Sequence, residues 1–168
     1  MTTFEAALEL DISGQIEAAA ESYEEVINSQ NGPVAAYINL ACLYWECTDF
    51  GFSVGHGLEP GFMEKAGKRM YEVLEEARKK FGDQPEILFW RLYFNFTSLG
   101  EDIPPVAKCL ELVEQPEATL VPYFHIYVQT RATQYLPQAR QLLELAKKER
   151  TVKNRYIISI LEGRVFDG

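Results

Sequence analysis

Apolar residues recur along this chain at three- and four-residue steps almost without interruption, the spacing that lays side chains along one stripe of an α-helix. Ile16, Ala19, Ala20, Tyr23, Val26 and Ile27 mark one stripe over about 15–29. Tyr37, Leu40, Ala41 and Tyr44 mark a second over 33–47, and Met63, Ala66, Met70, Val73, Leu74 and Ala77 a third over 61–81. Asn31-Gly32-Pro33 and Gly82-Asp83-Gln84-Pro85 punctuate the series with residues that stop one helix and open the next. Further helices are predicted over about 3–12, 86–99, 104–114, 117–131, 136–149 and 152–164. These nine make the expected fold class all-α. Leu120–Val128 is rich in aromatic and β-branched residues and suits a strand by propensity. Pro122 argues against a central strand and no second strand is there to pair with it, so the segment is assigned as helix.

A chain of 168 residues with 47% hydrophobic content fits one domain and buries a core without metals or disulfides. Charge interrupts every apolar run well short of the roughly 20 residues a membrane helix requires. The opening Met-Thr-Thr-Phe-Glu-Ala-Ala lacks the basic and apolar regions of an export signal. A cytoplasmic protein with no membrane association is the expectation. Cys42, Cys47 and Cys109 form an odd set, and the first two point to different faces of one helix, so they read as reduced, buried thiols.

The charge distribution is more telling than the net −9. Eleven carboxylates and no Lys or Arg precede Lys65, leaving fourteen acids and all sixteen bases to the remainder. Such polarity favours a basic partner at one end and repels nucleic acid there. Glu17, Glu21 and Glu24 stand for that acidic end. The one dense basic cluster, Lys147, Lys148, Arg150, Lys153 and Arg155, lies largely at a predicted helix C-terminus, where cations complement the dipole.

Self-similarity sets the architecture. A shift of 34 residues lays Ala6 on Leu40, Leu10 on Tyr44 and Gly14-Gln15-Ile16 on Thr48-Asp49-Phe50. Ala19 and Tyr23 follow the first turn. Ala66 and Met70 follow the second after an insertion near 51–61, and Phe89, Leu92 and Phe96 lead to a third turn at Leu99-Gly100-Glu101. In this the chain resembles the tetratricopeptide-repeat family over about residues 3–100. The pattern departs beyond Asp102: Tyr93 occupies a position where a small residue is usual, and Pro105 falls where the family's second helix carries its Ala. The resemblance implies a single domain over 1–168, with helix pairs stacked antiparallel into a superhelix and 101–168 as a divergent extension or cap. It also implies a concave binding face lined by the first helix of each pair. Asn39, Trp45 and Glu46 would line that face on the second pair and Arg91 on the third. A branch of the family clamps peptide carboxylates with cations; Phe4 and Leu8 stand here in place of its Lys and Asn, which removes that function.

The insertion contains Gly51-Phe52-Ser53-Val54-Gly55, a formal match to the nucleophile elbow of serine hydrolases, with His56 or His125 as the available bases. Helices flank it and no sheet is predicted to hold the serine. Phe50, Phe52, Val54 and Leu58, with His56 among them, are read instead as part of a glycine-rich loop that either adapts to another protein or covers the first repeat's edge. Two separated histidines make no metal set, and no motif calls for a cofactor. The apolar run Ile87–Phe94 is read first as buried and second as a face for self-association into a homodimer. The leading expectation is therefore a non-enzymatic protein-interaction module that binds a basic or apolar protein surface. Its specific form is an immunity or antidote protein that occludes a toxin. A hydrolase centred on Ser53 and a self-associating scaffold are the alternatives.

Overall fold

The computed structural model of the protein describes residues 2–165. Among them are ten α-helices, one 3-10 turn at Thr133–Tyr135 and no strand, so the fold is all-α. In chain order the helices are α1 Phe4–Ile12, α2 Ile16–Asn28, α3 Val34–Cys47, α4 Phe50–Gly55, α5 Pro60–Phe81, α6 Pro85–Leu99, α7 Val106–Val113, α8 Tyr123–Thr130, α9 Leu136–Lys148 and α10 Val152–Leu161. Nine of them answer to the nine apolar stripes. The tenth, α4, lies inside the insertion. Among the described residues no helix is long and apolar enough to cross a membrane.

The chain gathers into two compact units. The first runs to Gly82 and includes Thr151–Lys153; the second holds Asp83–Arg150 and the chain from Asn154 onward.

In the first unit α1 packs on α2, and α3 packs on both α2 and α5. Every residue of α3 from Ala36 to Trp45 is buried, which is what a helix apolar on all sides requires. Alanines 19, 20, 36, 41, 66 and 77 sit at these contacts with essentially no exposure and let the helices approach closely. Tyr23, Leu40, Leu43 and Tyr44 fill the space between. Each fully buried aliphatic or aromatic side chain of this kind contributes about 1.5–3 kcal/mol.

Gly32 is fixed by sterics, since a Cβ there would lie 2.5 Å from the Val26 carbonyl oxygen at the end of α2. The same turn is held by Tyr37, whose hydroxyl donates to the Ile27 carbonyl (2.9 Å), and by Lys80, whose ammonium donates to the Gly32 carbonyl (3.2 Å).

A chain of buried polar groups crosses this unit. The Asn39 amide donates to the Tyr23 hydroxyl (3.4 Å), and that hydroxyl donates to Asp11 Oδ2 (2.9 Å). Asp11 Oδ1 accepts the backbone N–H of Val152 at the opening of α10 (2.7 Å). Asp11 has no exposed surface. It places a carboxylate against a helix N-terminus, where backbone donors are unpaired within the helix and the dipole favours negative charge.

In the second unit α6 packs on α7, α7 on α8 and α8 on α9. Phe89, Trp90, Tyr93, Phe94 and Phe124 form its aromatic core, with Phe89 and Phe124 edge-to-face at 5.5 Å. The hydroxyls of Tyr93 and Tyr156 share a hydrogen bond of 2.5 Å. His125 is buried among these rings with Nε2 at 2.9 Å from the Pro104 carbonyl. Burial lowers its pKa and the bond to Pro104 opposes that shift. The run Ile87–Phe94 therefore supplies core: Ile87, Phe89, Trp90, Tyr93 and Phe94 are all buried, and Arg91 is its exposed position.

The expected helix over 117–131 begins only at Tyr123. Pro116 and Pro122 interrupt the backbone bonding it would need. Glu117 takes a left-handed conformation (φ 64°), and Ala118 closes a turn onto the Gln115 carbonyl.

Candidate functional site

The site is built by the insertion. Residues 50–61, expected as an adaptable glycine-rich loop, open instead with α4. Asp49 starts it, its Oδ1 accepting the Phe52 N–H at 2.8 Å. Gly57 ends it at φ 65°, with Leu58 N–H donating to the Ser53 carbonyl (2.9 Å) and Gly57 N–H to the Val54 carbonyl (3.1 Å). That is the Schellman ending, which satisfies the last carbonyls of a helix.

α1 ends in the same way. Gly14 sits at φ 78°, Gln15 N–H reaches the Leu10 carbonyl and Gly14 N–H the Asp11 carbonyl, both at 3.0 Å. The two turns face one another across a shallow cleft of about 240 Å³, walled by residues 14–18 on one side and 56–58 on the other. Glu17 and His56, far apart in sequence, thus line one cleft. The exposed His56 ring lies 4.2 Å, centroid to centroid, from half-buried Phe52, and its Nδ1 sits 2.9 Å from the Phe52 carbonyl.

Ser53 is buried, and its hydroxyl donates to the Cys47 carbonyl at 2.6 Å. It lies inside a short helix rather than on the strand-to-helix turn that exposes a hydrolase nucleophile. The hydroxyl's observed role is to fasten α4 to the end of α3. Cys47 is equally enclosed: burial pushes its thiol up to about 12, with the Glu46, Glu17 and Asp11 carboxylates adding to the shift. Among the described residues no group of three or more His, Cys, Asp or Glu is arranged to hold a metal ion.

The remaining expected contact residues divide sharply. Glu17 and Glu21 lie exposed four residues apart on α2, and among the described residues no cation pairs with either. Glu24 differs. Its carboxylate meets Arg69 Nε and Nη2 at 2.8 and 2.9 Å and accepts the Tyr44 hydroxyl at 2.9 Å. Burial alone would raise the Glu24 pKa; the bonds to Arg69 and Tyr44 outweigh it and hold the group below its ordinary value. Arg69 also grips Glu76, at 2.6 and 3.2 Å, and its guanidinium pKa rises through the bonds to both carboxylates. Glu24 therefore belongs to a clamp among α2, α3 and α5 and not to a free acidic face.

Asn39 and Trp45 were expected on an open concave face, and both are buried. Because α3 is covered by α2, by α5 and at its end by α4, it has no open side. Glu46 is half-buried at the last turn of α3, where burial and then the neighbouring Asp49 raise its carboxyl to about 7. Arg91 is exposed on α6 and belongs to the second unit.

The sequence reading placed Phe50 and Val54 on an adaptable loop against another protein and missed the helix that carries them. They stand on α4 with 73% and 61% exposure, one helical turn apart. The signal was present: Asp49 as N-cap and Gly57 past the end frame a helix, and a four-residue interval puts both apolar side chains on one face. No protein-family model, no curated protein and no solved structure matches this chain.

Proposed function

We propose that the protein is a non-enzymatic interaction module whose first unit binds a partner with a basic surface. The observation that carries this reading is the survival of an unpaired acidic face. Arg69 neutralises the half-buried Glu24, whereas Glu17 and Glu21 stay solvent-exposed in a segment that contains no Lys or Arg before Lys65. Carboxylates left unpaired on one side steer a cationic partner and fix its orientation.

The specific form proposed is a cytoplasmic immunity or antidote protein that covers the basic active face of a toxin such as a nuclease. The proposed architecture is tetratricopeptide-like over about residues 3–100. Support for it comes from the packing of α1 on α2 and of α3 on α5, the latter pair interrupted by the insertion.

The test uses basic nuclease domains and size-matched neutral proteins as ligands for the immobilised protein, with affinity followed against salt. A nuclease domain is expected to bind more tightly than the neutral set, with an affinity that falls as salt rises and with loss of its nuclease activity in the complex. The Glu17→Lys/Glu21→Lys double variant should lose about tenfold or more in affinity, with unchanged far-UV circular dichroism. Glu24 is unsuitable for this purpose, because its reversal breaks the Arg69 clamp. Equal binding of basic and neutral ligands, or an unchanged affinity after the double reversal, would overturn the reading.

A further inference from the structure

Three residues of the turn between α9 and α10 belong to a different unit from their neighbours in the chain. Thr151–Lys153 group with the first unit, whereas Arg150 and Asn154 on either side group with the second. Thr151 and Val152 are buried, while Glu149 and Arg150 just before them are exposed. The turn is closed at its base by one of its own side chains, since the Asn154 amide donates to the Glu149 carbonyl at 2.6 Å. Its shape is therefore fixed locally, and Thr151 and Val152 are presented from a preformed loop.

The seat that receives them is equally prearranged. Asn39 donates to the Tyr23 hydroxyl, so the single proton of that hydroxyl is directed to Asp11 Oδ2. This bond orients the carboxylate, and Oδ1 accepts the Val152 N–H at 2.7 Å. Val152 is the first residue of α10, so the donor is one of those that a helix leaves unpaired. A carboxylate with no exposed surface is a weak fastening, because removing its charge from water offsets much of what the bond returns. What it adds is selectivity: an occupant that brings no N–H to Oδ1 leaves a buried charge uncompensated.

We propose that the Asp11 seat is an exchangeable peptide site whose resident occupant is the chain's own Thr151–Lys153. The external occupant it fits is a segment of a partner protein that opens a helix with a hydroxyl residue followed by a β-branched one, the pattern the resident presents. Binding of that segment and seating of the chain's own turn exclude each other, which makes the turn an autoinhibitory contact. Tethering gives the resident an effective concentration on the order of millimolar, and an external segment must overcome that advantage. The site uses none of the exposed carboxylates of α2 and so goes beyond the acidic-face reading without resting on it.

The test titrates the full chain with a fluorescent peptide of residues 148–161, and with a second peptide that carries Val152→Pro and so lacks the donor at unchanged charge. Proline suits the first position of a helix, so Val152→Pro in the protein deletes the resident's donor and leaves α10 able to form; circular dichroism checks this. The Val152→Pro protein is expected to bind the wild-type peptide with one-to-one saturation, about tenfold or more tighter than the wild-type protein, whose own turn competes. The proline peptide should bind neither protein, and Asp11→Asn added to the Val152→Pro protein should weaken the wild-type peptide about tenfold or more. Amide exchange in the wild-type protein gives an independent reading: the Val152 N–H should exchange through an opening that leaves the interior of α3 protected.

Equal affinity of the two peptides for the Val152→Pro protein, or equal affinity of the wild-type peptide for the two proteins, overturns the proposal and leaves the acidic-face reading standing. Exchange of the Val152 N–H only at the rate of the α3 interior shows that the turn never leaves its seat and overturns it likewise.

Discussion

Replacing Asp11 by Ala removes the acceptor for two buried donors at once. The Tyr23 hydroxyl and the Val152 N–H reach its two oxygens at 2.9 and 2.7 Å. Hydrogen bonds to a charged partner contribute about 1.5–3 kcal/mol each. Loss of both, together with the favourable charge at the α10 N-terminus, therefore costs about 3–5 kcal/mol. That is a large share of the roughly 5–15 kcal/mol that holds a folded domain. Asp11→Asn keeps one carbonyl oxygen for Val152 and turns an amide toward Tyr23, so its cost should be about 1–2 kcal/mol.

Urea denaturation monitored by circular dichroism measures both values. Amide hydrogen exchange supplies the local readout, because the Val152 amide should lose protection in Asp11→Ala before the interior of α3 does. An Asp11→Ala protein within about 1 kcal/mol of the parent, or one in which Val152 exchanges as slowly as before, would show that this carboxylate does not hold α10.

Three further outcomes follow from the charges. Glu46, raised to about 7 from its ordinary value of 4.5, binds its proton more tightly in the folded state, so its contribution favours folding below about 4.5 and is lost as pH rises through 7. Glu46→Gln should accordingly stabilise the protein by about 1–2 kcal/mol at pH 8, after allowance for partial solvent screening, and change little at pH 4; thermal unfolding at the two pH values measures the difference. Arg69→Met leaves the Glu24 carboxylate half-buried with only the Tyr44 hydroxyl, and should cost about 2–4 kcal/mol in chemical denaturation, more than Lys68→Met on the exposed side of the same helix. His125 is lowered by burial, so its neutral form stabilises the fold above the ordinary imidazole range and that contribution fades as pH falls through the lowered value. His125→Phe should remove this acid sensitivity from the Trp90 fluorescence transition.

Apolar spacing located nine helices because each buries one stripe against a neighbour, and a stripe is visible in sequence. The stripe Ile16, Ala19, Ala20, Tyr23, Val26 and Ile27 lies buried as its spacing requires, as do Ala66, Met70, Val73, Leu74 and Ala77, while Met63 ahead of them is half-buried. α4 escaped because its six residues include two glycines and its apolar pair, Phe50 and Val54, is exposed rather than buried; it persists through a cap at each end and through the Ser53 hydroxyl bonded to Cys47. Asn39 illustrates the opposite failure. A polar residue on a helix reads as surface, and only the fold discloses that Tyr23 and Asp11 give it a buried partner chain. Glu17 and Glu24 are indistinguishable by type and lie on one helix, yet Arg69, 45 residues beyond Glu24, claims one and leaves the other free. Such long-range pairing has no local signature.

The bond between Asp11 and Val152 spans 141 residues of chain. At about 5–20 residues per second of synthesis, Asp11 emerges roughly 7–28 s before its helix partner exists. Throughout that interval α1 holds a carboxylate that has nothing to cap, and the first unit lacks Thr151–Lys153, which complete it. Vectorial folding from the N-terminus thus stops one step short. The earliest unit to leave the ribosome is among the last to be finished, and its final stitch waits on α10.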